Sequence, residues 1–372
     1  MKVVIAAAGT GGHINPGIAI ANEIMKNDPD SKVIFVGTPR GLENDLVPRA
    51  GYELKHIEAF GISRKINIQN IKKLVKTIKS IGEAKKILKE FKPDVVIGMG
   101  GYISVAVGEA AKKMKIPILL HESNAYPGVA IKILSHAAKV VCVGFEDTKK
   151  RLKKANKIVV TGNPSKIEKI NYSQNQKYEK LSELKLNNKE LPVVLVFGGS
   201  QGAKSINNAI LGIIEEKLNN KYQIIWAAGK NNYDEVKEEL KSKDIDINNI
   251  KNAAIVPYIY NMQEMMNLAD LVVCRSGAMT ITEVSVLEKP AIFIPYPFAT
   301  ENHQEYNARV LEKVNAAKLI LDKDLNSKNL NETIESIVID RNTIEQMGKK
   351  AGKIAKKNVE KIIYNEIVSI HS

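Results

Sequence analysis

Short apolar runs alternate with longer amphipathic stretches along nearly the whole chain. The apolar runs are uninterrupted rather than alternating with polar residues, which is typical of strands buried on both faces of a parallel sheet. The runs predicted as strands are residues 3–7, 33–36, 95–97, 116–120, 140–143, 158–160, 193–197, 224–226, 254–256, 271–273, 291–294 and 318–321. The stretches between them have helical periodicity, so the sequence predicts successive strand–helix–strand units.

This series of strand–helix units occurs twice. Residues 163–191 are polar, contain no strand-like run and separate the two series, so we place a linker there. The predicted fold class is therefore α/β, with two doubly wound parallel-sheet domains at residues 1–163 and 164–345. Residues 346–372 are predicted to form a C-terminal helix that packs back on the N-terminal domain. Ligands of such sheets bind beyond the carboxyl ends of the strands, so the loops there are the places to search.

Composition narrows the class of protein further. The chain has 372 residues, of which 44% are hydrophobic and 26% charged, the balance of a soluble globular protein. No apolar run approaches the roughly 18 residues that span a bilayer, and the N-terminus lacks a signal-peptide pattern. The two cysteines, Cys142 and Cys274, each lie at the end of an apolar run. We expect both to be buried thiols in a reducing cytoplasm, which excludes a disulfide framework.

The net charge of +14 is concentrated in one segment. Residues 64–92, which begin with Arg64 and end with Lys92, hold ten basic and two acidic residues, a net charge of +8. On a helix, the apolar and basic side chains fall on opposite arcs, namely Ile71, Leu74, Val75, Ile78 and Ile81 against Lys72, Lys73, Lys76 and Lys79. Such a helix can lie on an anionic membrane surface, or it can pack its apolar face on its own domain. No aromatic residues are interleaved with the lysines, so nucleic acid is not an expected partner.

Glycine-rich and polar loops follow three predicted strands of the first half. The first loop, Gly9-Thr10-Gly11-Gly12-His13, leads into a helix whose N-terminus favours an anion. It is not a dinucleotide-binding fingerprint, because Ile14 stands where that pattern needs glycine. The others are Gly98-Met99-Gly100-Gly101-Tyr102 and His121-Glu122-Ser123-Asn124. These loops are candidate ligand contacts, with tight turns and helix caps as the alternative.

Two further loops in the second half predict a phosphate site. Residues 198–205 read GGSQGAKS, which is not a nucleoside-triphosphatase P-loop because Ala203 separates the last glycine from Lys204. A phosphate-cradling turn remains the prediction. Residues 275–283 read RSGAMTITE, where free N–H groups can bind a diphosphate and Glu283 can accept both hydroxyls of a ribose. The alternative for Glu283 is an acidic residue that only complements the helix dipole.

Two short acidic patterns are not assigned a metal. Asp244-Ile245-Asp246 and Asp322-Lys323-Asp324 both match the aspartate pair of some metal-dependent sugar transferases. Either pattern arises readily by chance in a chain this charged. We therefore expect no metal and no other cofactor.

Taken together, the motifs resemble the MurG family of bacterial cell-wall synthesis. The segments that carry the resemblance, in the order and spacing of that family, are AAAGTGGHINPG, PDVVIGMGGYIS, LLHESNAYPG, VVTGNP, VFGGSQGAKSIN, CRSGAMTITE and ENHQEYNA. Members transfer N-acetylglucosamine (GlcNAc) from UDP-GlcNAc to lipid I, undecaprenyl-pyrophosphoryl-N-acetylmuramyl-pentapeptide. The resemblance implies the GT-B fold, two Rossmann-like domains that face each other across a cleft, and a peripheral position on the cytoplasmic face of the cell membrane.

The resemblance also implies roles for individual residues. The implied donor contacts are Thr10, Gly11, Gly12, Asn124, Lys166, Ser200, Ile259, Ala278, Met279, Thr280, Ile281, Thr282, Glu283 and Gln304, and the implied acceptor or phosphate loop is Gly100, Gly101 and Tyr102. In this set the backbone of Ile259 meets uracil, Glu283 binds the ribose and Gln304 contacts the sugar. Lys166 stands where the family usually has Arg, which replaces a bidentate guanidinium with a point charge.

His13 is the candidate general base, since an imidazole with an ordinary pKa near 6.5 can remove a proton at neutral pH. The alternative is that His13 only orients its loop or the acceptor pyrophosphate. Two rival functions stay open at this point. A UDP-GlcNAc 2-epimerase would share the fold and the nucleotide sugar, whereas a basic nucleic-acid-binding protein would explain the charge but not the glycine loops.

Overall fold

A computed structural model of the chain describes residues 1–59, 68–199 and 202–371, with the side chains of all of these except residues 68–78. The chain divides into two compact units. Unit 1 comprises Met1–Lys166 and Lys356–Ser372, and unit 2 comprises Ile167–Ala355.

Unit 1 is built on a parallel sheet of seven strands in the order β3-β2-β1-β4-β5-β6-β7. The strands are β1 Lys2–Ala6, β2 Lys32–Gly37, β3 Glu53–His56, β4 Val95–Gly98, β5 Ile118–Glu122, β6 Val140–Val143 and β7 Ile158–Val160. The helices are α1 Gly11–Asn27, α2 Glu43–Arg49, α3 Ile68–Phe91, α4 Gly101–Lys113, α5 Val129–Leu134 and α6 Glu146–Lys149, with α15 Val359–His371 added from the end of the chain.

Unit 2 repeats the same plan with six parallel strands in the order β10-β9-β8-β11-β12-β13. The strands are β8 Val193–Phe197, β9 Gln223–Ala227, β10 Ala253–Val256, β11 Leu271–Cys274, β12 Ala291–Phe293 and β13 Ala317–Leu319. The helices are α7 Gln174–Glu183, α8 Lys204–Glu215, α9 Tyr233–Ser242, α10 Met262–Leu268, α11 Ala278–Val286, α12 His303–Glu312, α13 Ser327–Val338 and α14 Arg341–Gly352, with 3₁₀ turns at Thr300–Asn302 and Asp322–Asp324.

Successive residues of the central strands face opposite cores. In β1, Val4 packs in one apolar cluster, whereas Val3 and Ile5 pack in the cluster on the other face of the sheet. All of these side chains are fully buried, which explains why the strand has no polar alternation. The predicted α/β class with two doubly wound parallel sheets is therefore confirmed. Cys142 and Cys274 are buried free thiols, as predicted.

The sequence pattern missed strand β3 and helix α7. Strand β3 is Glu-Leu-Lys-His at the edge of its sheet, where one mostly exposed strand needs no apolar run. Helix α7 lies inside the polar stretch predicted as a linker, and Ser173 begins it with a capping box to Gln176. Lys177 binds Asp270 at 2.8 Å within unit 2. The prediction of a linker over the whole stretch was wrong, because a helix held by ion pairs and caps carries little apolar signal.

The end of the chain also differs from the predicted boundaries. Residues 346–355 lie in unit 2, where α14 packs on α11 and α13, and only α15 belongs to unit 1. Helix α15 packs on α1 and buries Val359, Ile363 and Ile367 in the apolar cluster that contains Val3 and Ile5. A break at residues 353–358 separates the two helices, so residues 346–372 do not form one helix.

Candidate active site

The strand order of each unit marks where a ligand site is expected. In unit 1 the strands β1 and β4 are hydrogen-bonded neighbours. The chain continues from β1 to β2 on one side of this pair and from β4 to β5 on the other side. In unit 2 the same happens at β8 and β11. Such a switch point opens a crevice at the carboxyl ends of the two strands. The predicted glycine loops lie at these ends.

The first loop of unit 1 leads directly into helix α1. Gly9 has a φ of +90°, a left-handed conformation that other residues adopt only with strain. Thr10 is the N-cap residue, and its carbonyl accepts the N–H groups of His13 and Ile14. Gly11 and Gly12 form the first helical turn, where N–H groups point out of the helix and can bind an anion.

His13 and the second loop, which were predicted separately, lie in contact. Gly100 and Gly101 have φ values of +98° and +71°. A Cβ atom added to Gly100 would lie 3.1 Å from Nε2 of His13, so only glycine leaves room for the imidazole ring. Ser104 orders this loop, since its hydroxyl accepts the Gly100 N–H at 3.0 Å and lies 2.7 Å from the Gly100 carbonyl. Tyr102 is exposed.

The third polar loop of unit 1 is organised by a buried carboxyl. Glu122 accepts the N–H and the side-chain amide of Asn124 through one oxygen, at 2.8 and 3.0 Å, and the N–H of Gly128 through the other at 2.7 Å. Burial raises the pKa of Glu122, although these hydrogen bonds act in the opposite direction. Glu122 therefore positions Asn124 at the end of β5. The sequence motif did not indicate which of its four residues has this role.

His121 is a core histidine rather than a second candidate base. Its side chain is fully buried and its Nε2 lies 3.3 Å from the carbonyl oxygen of Gly162. Burial lowers its pKa to about 4, and the nearby His13 acts in the same direction. The imidazole is therefore neutral at physiological pH.

In unit 2, the loop after β8 approaches a neighbouring backbone closely. A Cβ atom added to Gly202, whose φ is +78°, would lie 2.4 Å from the carbonyl oxygen of Ala228. Gly199 has a φ of +91°, and a Cβ atom added to it would meet no described atom within 4 Å. Ser200, the predicted phosphate contact of this loop, lies outside the described residues.

Helix α11 offers backbone donors and one carboxyl to a ligand. Gly277 is its N-cap residue, and Ala278, Met279 and Thr280 form its first turn, where N–H groups have no acceptor within the helix. The other two predicted contacts point elsewhere: Ile281 is fully buried, and the Thr282 hydroxyl donates to the Ala278 carbonyl at 3.0 Å.

Glu283 lies one turn further along this helix. Burial raises its pKa to about 7, and none of the described side chains forms an ion pair with it. Burial raises the pKa of the Cys274 thiol, and the negative charge of Glu283 raises it further. The Glu283 carboxyl therefore lies near Cys274, the last residue of β11. A partly buried carboxyl with no ion-pair partner among the described residues is costly to keep, so it is a candidate for binding a ligand.

A pocket of about 610 Å³ opens between the two loops of unit 2, with Gly199, Lys204 and Thr280 in its lining. Arg275, the first residue of the RSGAMTITE segment, forms one wall. Its guanidinium binds Asp322, the Ser205 hydroxyl at 3.0 Å and two backbone carbonyls. Arg275 is thus paired with Asp322, and its contacts hold this wall of the pocket together. The sequence reading of Asp322 found only a chance metal pattern and missed this ion pair.

The remaining predicted contacts lie around unit 2 or at its boundary. Gln304 lines the same pocket and its side-chain oxygen accepts the Tyr296 N–H at 2.9 Å. Ile259 is buried in the loop between β10 and α10. Lys166 is exposed and is the last residue of the first segment of unit 1, not part of unit 2 as predicted. Across the described residues, no group of three or more His, Cys, Asp or Glu side chains could hold a metal ion.

Two doubly wound parallel-sheet units with glycine-rich loops at the carboxyl ends of their strands are typical of the GT-B class of glycosyltransferase folds. Family models agree with that class: "Glycosyltransferase family 28 N-terminal domain" matches residues 3–143, and "Glycosyltransferase family 28 C-terminal domain" matches residues 193–363.

Individual relatives define the family more narrowly. The chain is 42% identical to the UDP-N-acetylglucosamine--N-acetylmuramyl-(pentapeptide) pyrophosphoryl-undecaprenol N-acetylglucosamine transferase of Thermoanaerobacter sp. (strain X514), with 100% of each chain covered. It is 42% identical to the protein of the same name from Acetivibrio thermocellus, with 100% of this chain and 98% of the relative covered. The chain belongs to this family of transferases, the MurG family within glycosyltransferase family 28.

Solved structures show the same relationship. The crystal structure of Acinetobacter baumannii MurG superposes with a TM-score of 0.78 at 27% identity and 99% coverage of both chains. The UDP-GlcNAc 2-epimerase of Neisseria meningitidis gives a TM-score of 0.66 at 17% identity, covering 99% of this chain and 100% of the epimerase. The second likeness concerns the fold alone. The family membership therefore favours the transferase over the epimerase that the sequence left open.

Proposed function

We propose that the chain transfers GlcNAc from UDP-GlcNAc to the 4-hydroxyl of the N-acetylmuramyl group of lipid I, as an inverting transferase of peptidoglycan synthesis. The observation that carries the donor half of this proposal is the pairing, on helix α11, of first-turn N–H groups that have no acceptor within the helix with the carboxyl of Glu283, which forms no ion pair with any described side chain. The N–H groups suit a diphosphate, and the carboxylate suits the two hydroxyls of a ribose. The pocket beside Thr280 and Gln304 has room for the sugar.

The first two loops of unit 1 supply the chemistry at the acceptor. In this proposal His13 removes the proton of the acceptor hydroxyl as its oxygen attacks the anomeric carbon, and the bond from that carbon to the UDP oxygen breaks. The electron pair leaves with UDP, whose growing charge is stabilised by helix N-termini and backbone N–H groups. Contact between His13 and the Gly100–Gly101 backbone fixes the imidazole for this step. Lys166 is proposed as an exposed cation for the donor.

The decisive experiment is a transfer assay with purified full-length protein, radiolabelled UDP-GlcNAc and a lipid I analogue. The expected product is the disaccharide-lipid together with one UDP for each sugar transferred. Glu283→Ala serves as a donor-site variant and Glu238→Gln, an exposed residue of α9, as its control. Formation of the 2-epimer of UDP-GlcNAc without acceptor, and no disaccharide-lipid with it, would overturn the proposal in favour of an epimerase.

We also propose that the chain works at the cytoplasmic face of the cell membrane, where residues 64–92 contact anionic lipid. No helix in the described part of the chain has both the length and the apolar character needed to cross a bilayer. Residues 64–67 and the side chains of residues 68–78 lie outside the description, so the argument rests on their sequence. Ile81 is partly buried against the core of unit 1, whereas Lys79 is exposed. The described end of the segment thus packs internally on one face and presents cations on the other.

Vesicle sedimentation tests this membrane proposal. Lys72, Lys73, Lys76 and Lys79 are all changed to Glu, and the control changes four exposed lysines of unit 2, Lys237, Lys241, Lys318 and Lys328, in the same way. Since each basic residue near an anionic leaflet contributes about 1 kcal/mol, binding to anionic vesicles is expected to be largely lost in the first variant. The control should bind more strongly than that variant. Equal loss in both would mean that total charge, not this segment, attracts the protein.

A further inference from the structure

Glu43 is a buried carboxyl that holds the first glycine loop from behind. It begins helix α2 and is fully buried. One carboxylate oxygen accepts the N–H of Gly9 at 2.9 Å, and the other accepts the N–H and the hydroxyl of Thr38 at 2.9 and 2.7 Å. Both oxygens are therefore engaged by the loops that follow β1 and β2.

The carboxyl is ionised although no cation of the described chain pairs with it. Burial alone would raise its pKa, but the hydrogen bonds from Gly9 and Thr38 outweigh that effect and lower the pKa below its ordinary value. Hydrogen bonds that N–H and O–H groups donate to a carboxylate are shorter and stronger than those between neutral groups. Glu43 is thus a fixed acceptor and not a residue that exchanges protons at neutral pH.

Two glycines leave the space that this carboxylate occupies. A Cβ atom added to Gly41 would lie 1.9 Å from Oε2 of Glu43, and one added to Gly37 would lie 2.7 Å from its Cγ. Neither glycine has a positive φ, so the requirement for glycine here is one of space. The segments at Gly37 and Gly41 thus leave room for the Glu43 side chain on two sides.

The contact leads directly to the candidate base. Gly9, which Glu43 holds, precedes the N-cap residue Thr10, and the Thr10 carbonyl accepts the N–H of His13. The His13 ring in turn lies against Gly100. A shift of Gly9 would therefore move the start of α1 and the imidazole with it.

We propose that Glu43 is a positioning residue for the transfer reaction, acting through Gly9 to fix the first loop and His13 against the second loop. The inference rests on the proposed function, in which His13 acts on the acceptor. A misplacement of about 1 Å can cost roughly a hundredfold in rate. We therefore expect Glu43→Gln to lower kcat by roughly 10- to 100-fold, because an amide cannot accept hydrogen bonds at both of its ends.

The test combines kinetics with donor binding. In Glu43→Gln, kcat should fall much more than UDP affinity, because the proposed contacts to uracil, diphosphate and ribose lie in unit 2 and the first loop supplies only part of the implied donor contacts. Gly41→Ala is an independent variant that keeps Glu43 but displaces its carboxylate, and it should give the same pattern. The controls are Asp45→Asn and Glu53→Gln, which change exposed carboxylates of α2 and β3.

A double variant separates positioning from general stability. If Glu43 acts through His13, then Glu43→Gln combined with His13→Ala should be no slower than His13→Ala alone. If the losses of kcat in the two single variants multiply in the double variant, the inference is overturned. It is also overturned if Glu43→Gln and Gly41→Ala both keep a kcat within twofold of the controls. If wild type itself makes no disaccharide-lipid, the proposed function fails instead. The loop contact is then judged by amide exchange of residues 7–14, which Glu43→Gln should accelerate and Asp45→Asn should not.

Discussion

Replacing Glu283 with Gln is expected to make unit 2 more stable and UDP binding weaker. The carboxyl lies one turn into α11, and burial raises its pKa from the ordinary 4.5 to about 7. Its charged form is therefore disfavoured in the folded protein. Gln has nearly the same shape and carries no charge, so it removes that penalty together with the charged acceptor for the ribose.

The size of the stability change follows from the pKa. One pKa unit corresponds to about 1.4 kcal/mol, so holding the ionised carboxylate in place costs up to about 3 kcal/mol above pH 7. Between pH 4.5 and 7 the folded chain binds more protons at this site than the unfolded chain, so stability from this group falls as pH rises through that window. Below pH 4.5 the penalty is absent.

The thermal assay compares wild type and Glu283→Gln at pH 5 and pH 8. The variant should have the higher Tm at pH 8, and the difference should shrink toward zero at pH 5. Glu238→Gln, on the exposed face of α9, controls for a change of net charge and should show no such pH dependence.

The binding assay measures UDP affinity by calorimetry at pH 8. A hydrogen bond to a charged group contributes about 1.5–3 kcal/mol and a neutral one about 0.5–1.5 kcal/mol. Glu283→Gln should therefore weaken UDP roughly tenfold, and Glu283→Ala roughly 10- to 150-fold. Unchanged affinity in both variants would refute the ribose role of Glu283.

Two other predictions concern the two units separately. His13→Ala should lower kcat by about 10²–10⁴-fold with little change in the donor KM, as loss of a general base does, and steady-state kinetics showing near-normal turnover would eliminate that role. Asp322→Asn should lower Tm and weaken UDP binding, because Arg275 then loses the charged partner that holds the pocket wall. Calorimetry showing wild-type affinity in Asp322→Asn would mean that the wall does not depend on this pair.

Patterns within one segment of sequence were enough to predict the sheets but not the contacts between segments. The buried strands carry continuous apolar runs such as residues 193–197, so their parallel arrangement follows from the pattern. Strand β3 carries no such run because it lies at an edge. Glycine loops at strand ends predicted the candidate site, and the structure places the His13 ring of one loop beside Gly100 of another.

The supporting residues could not be found in the same way. Glu43 lies 34 positions from the glycine it holds, and Asp322 lies 47 positions from Arg275. Each of these carboxylates reads locally as an ordinary acidic residue of a loop or first helical turn. Only the fold brings either one to its partner, so no local motif distinguishes them.

The position of α15 determines the order in which the units can be completed during synthesis. Unit 2 lies in sequence between the two segments of unit 1, so the ribosome makes all of unit 2 before the helix that covers unit 1. Until then, the apolar surface that receives Val359, Ile363 and Ile367 is open to water, and burying each such side chain contributes about 1.5–3 kcal/mol. Synthesis of unit 1 therefore starts before that of unit 2 and ends after it. In the nascent chain, unit 1 exposes an apolar surface to which a chaperone could bind.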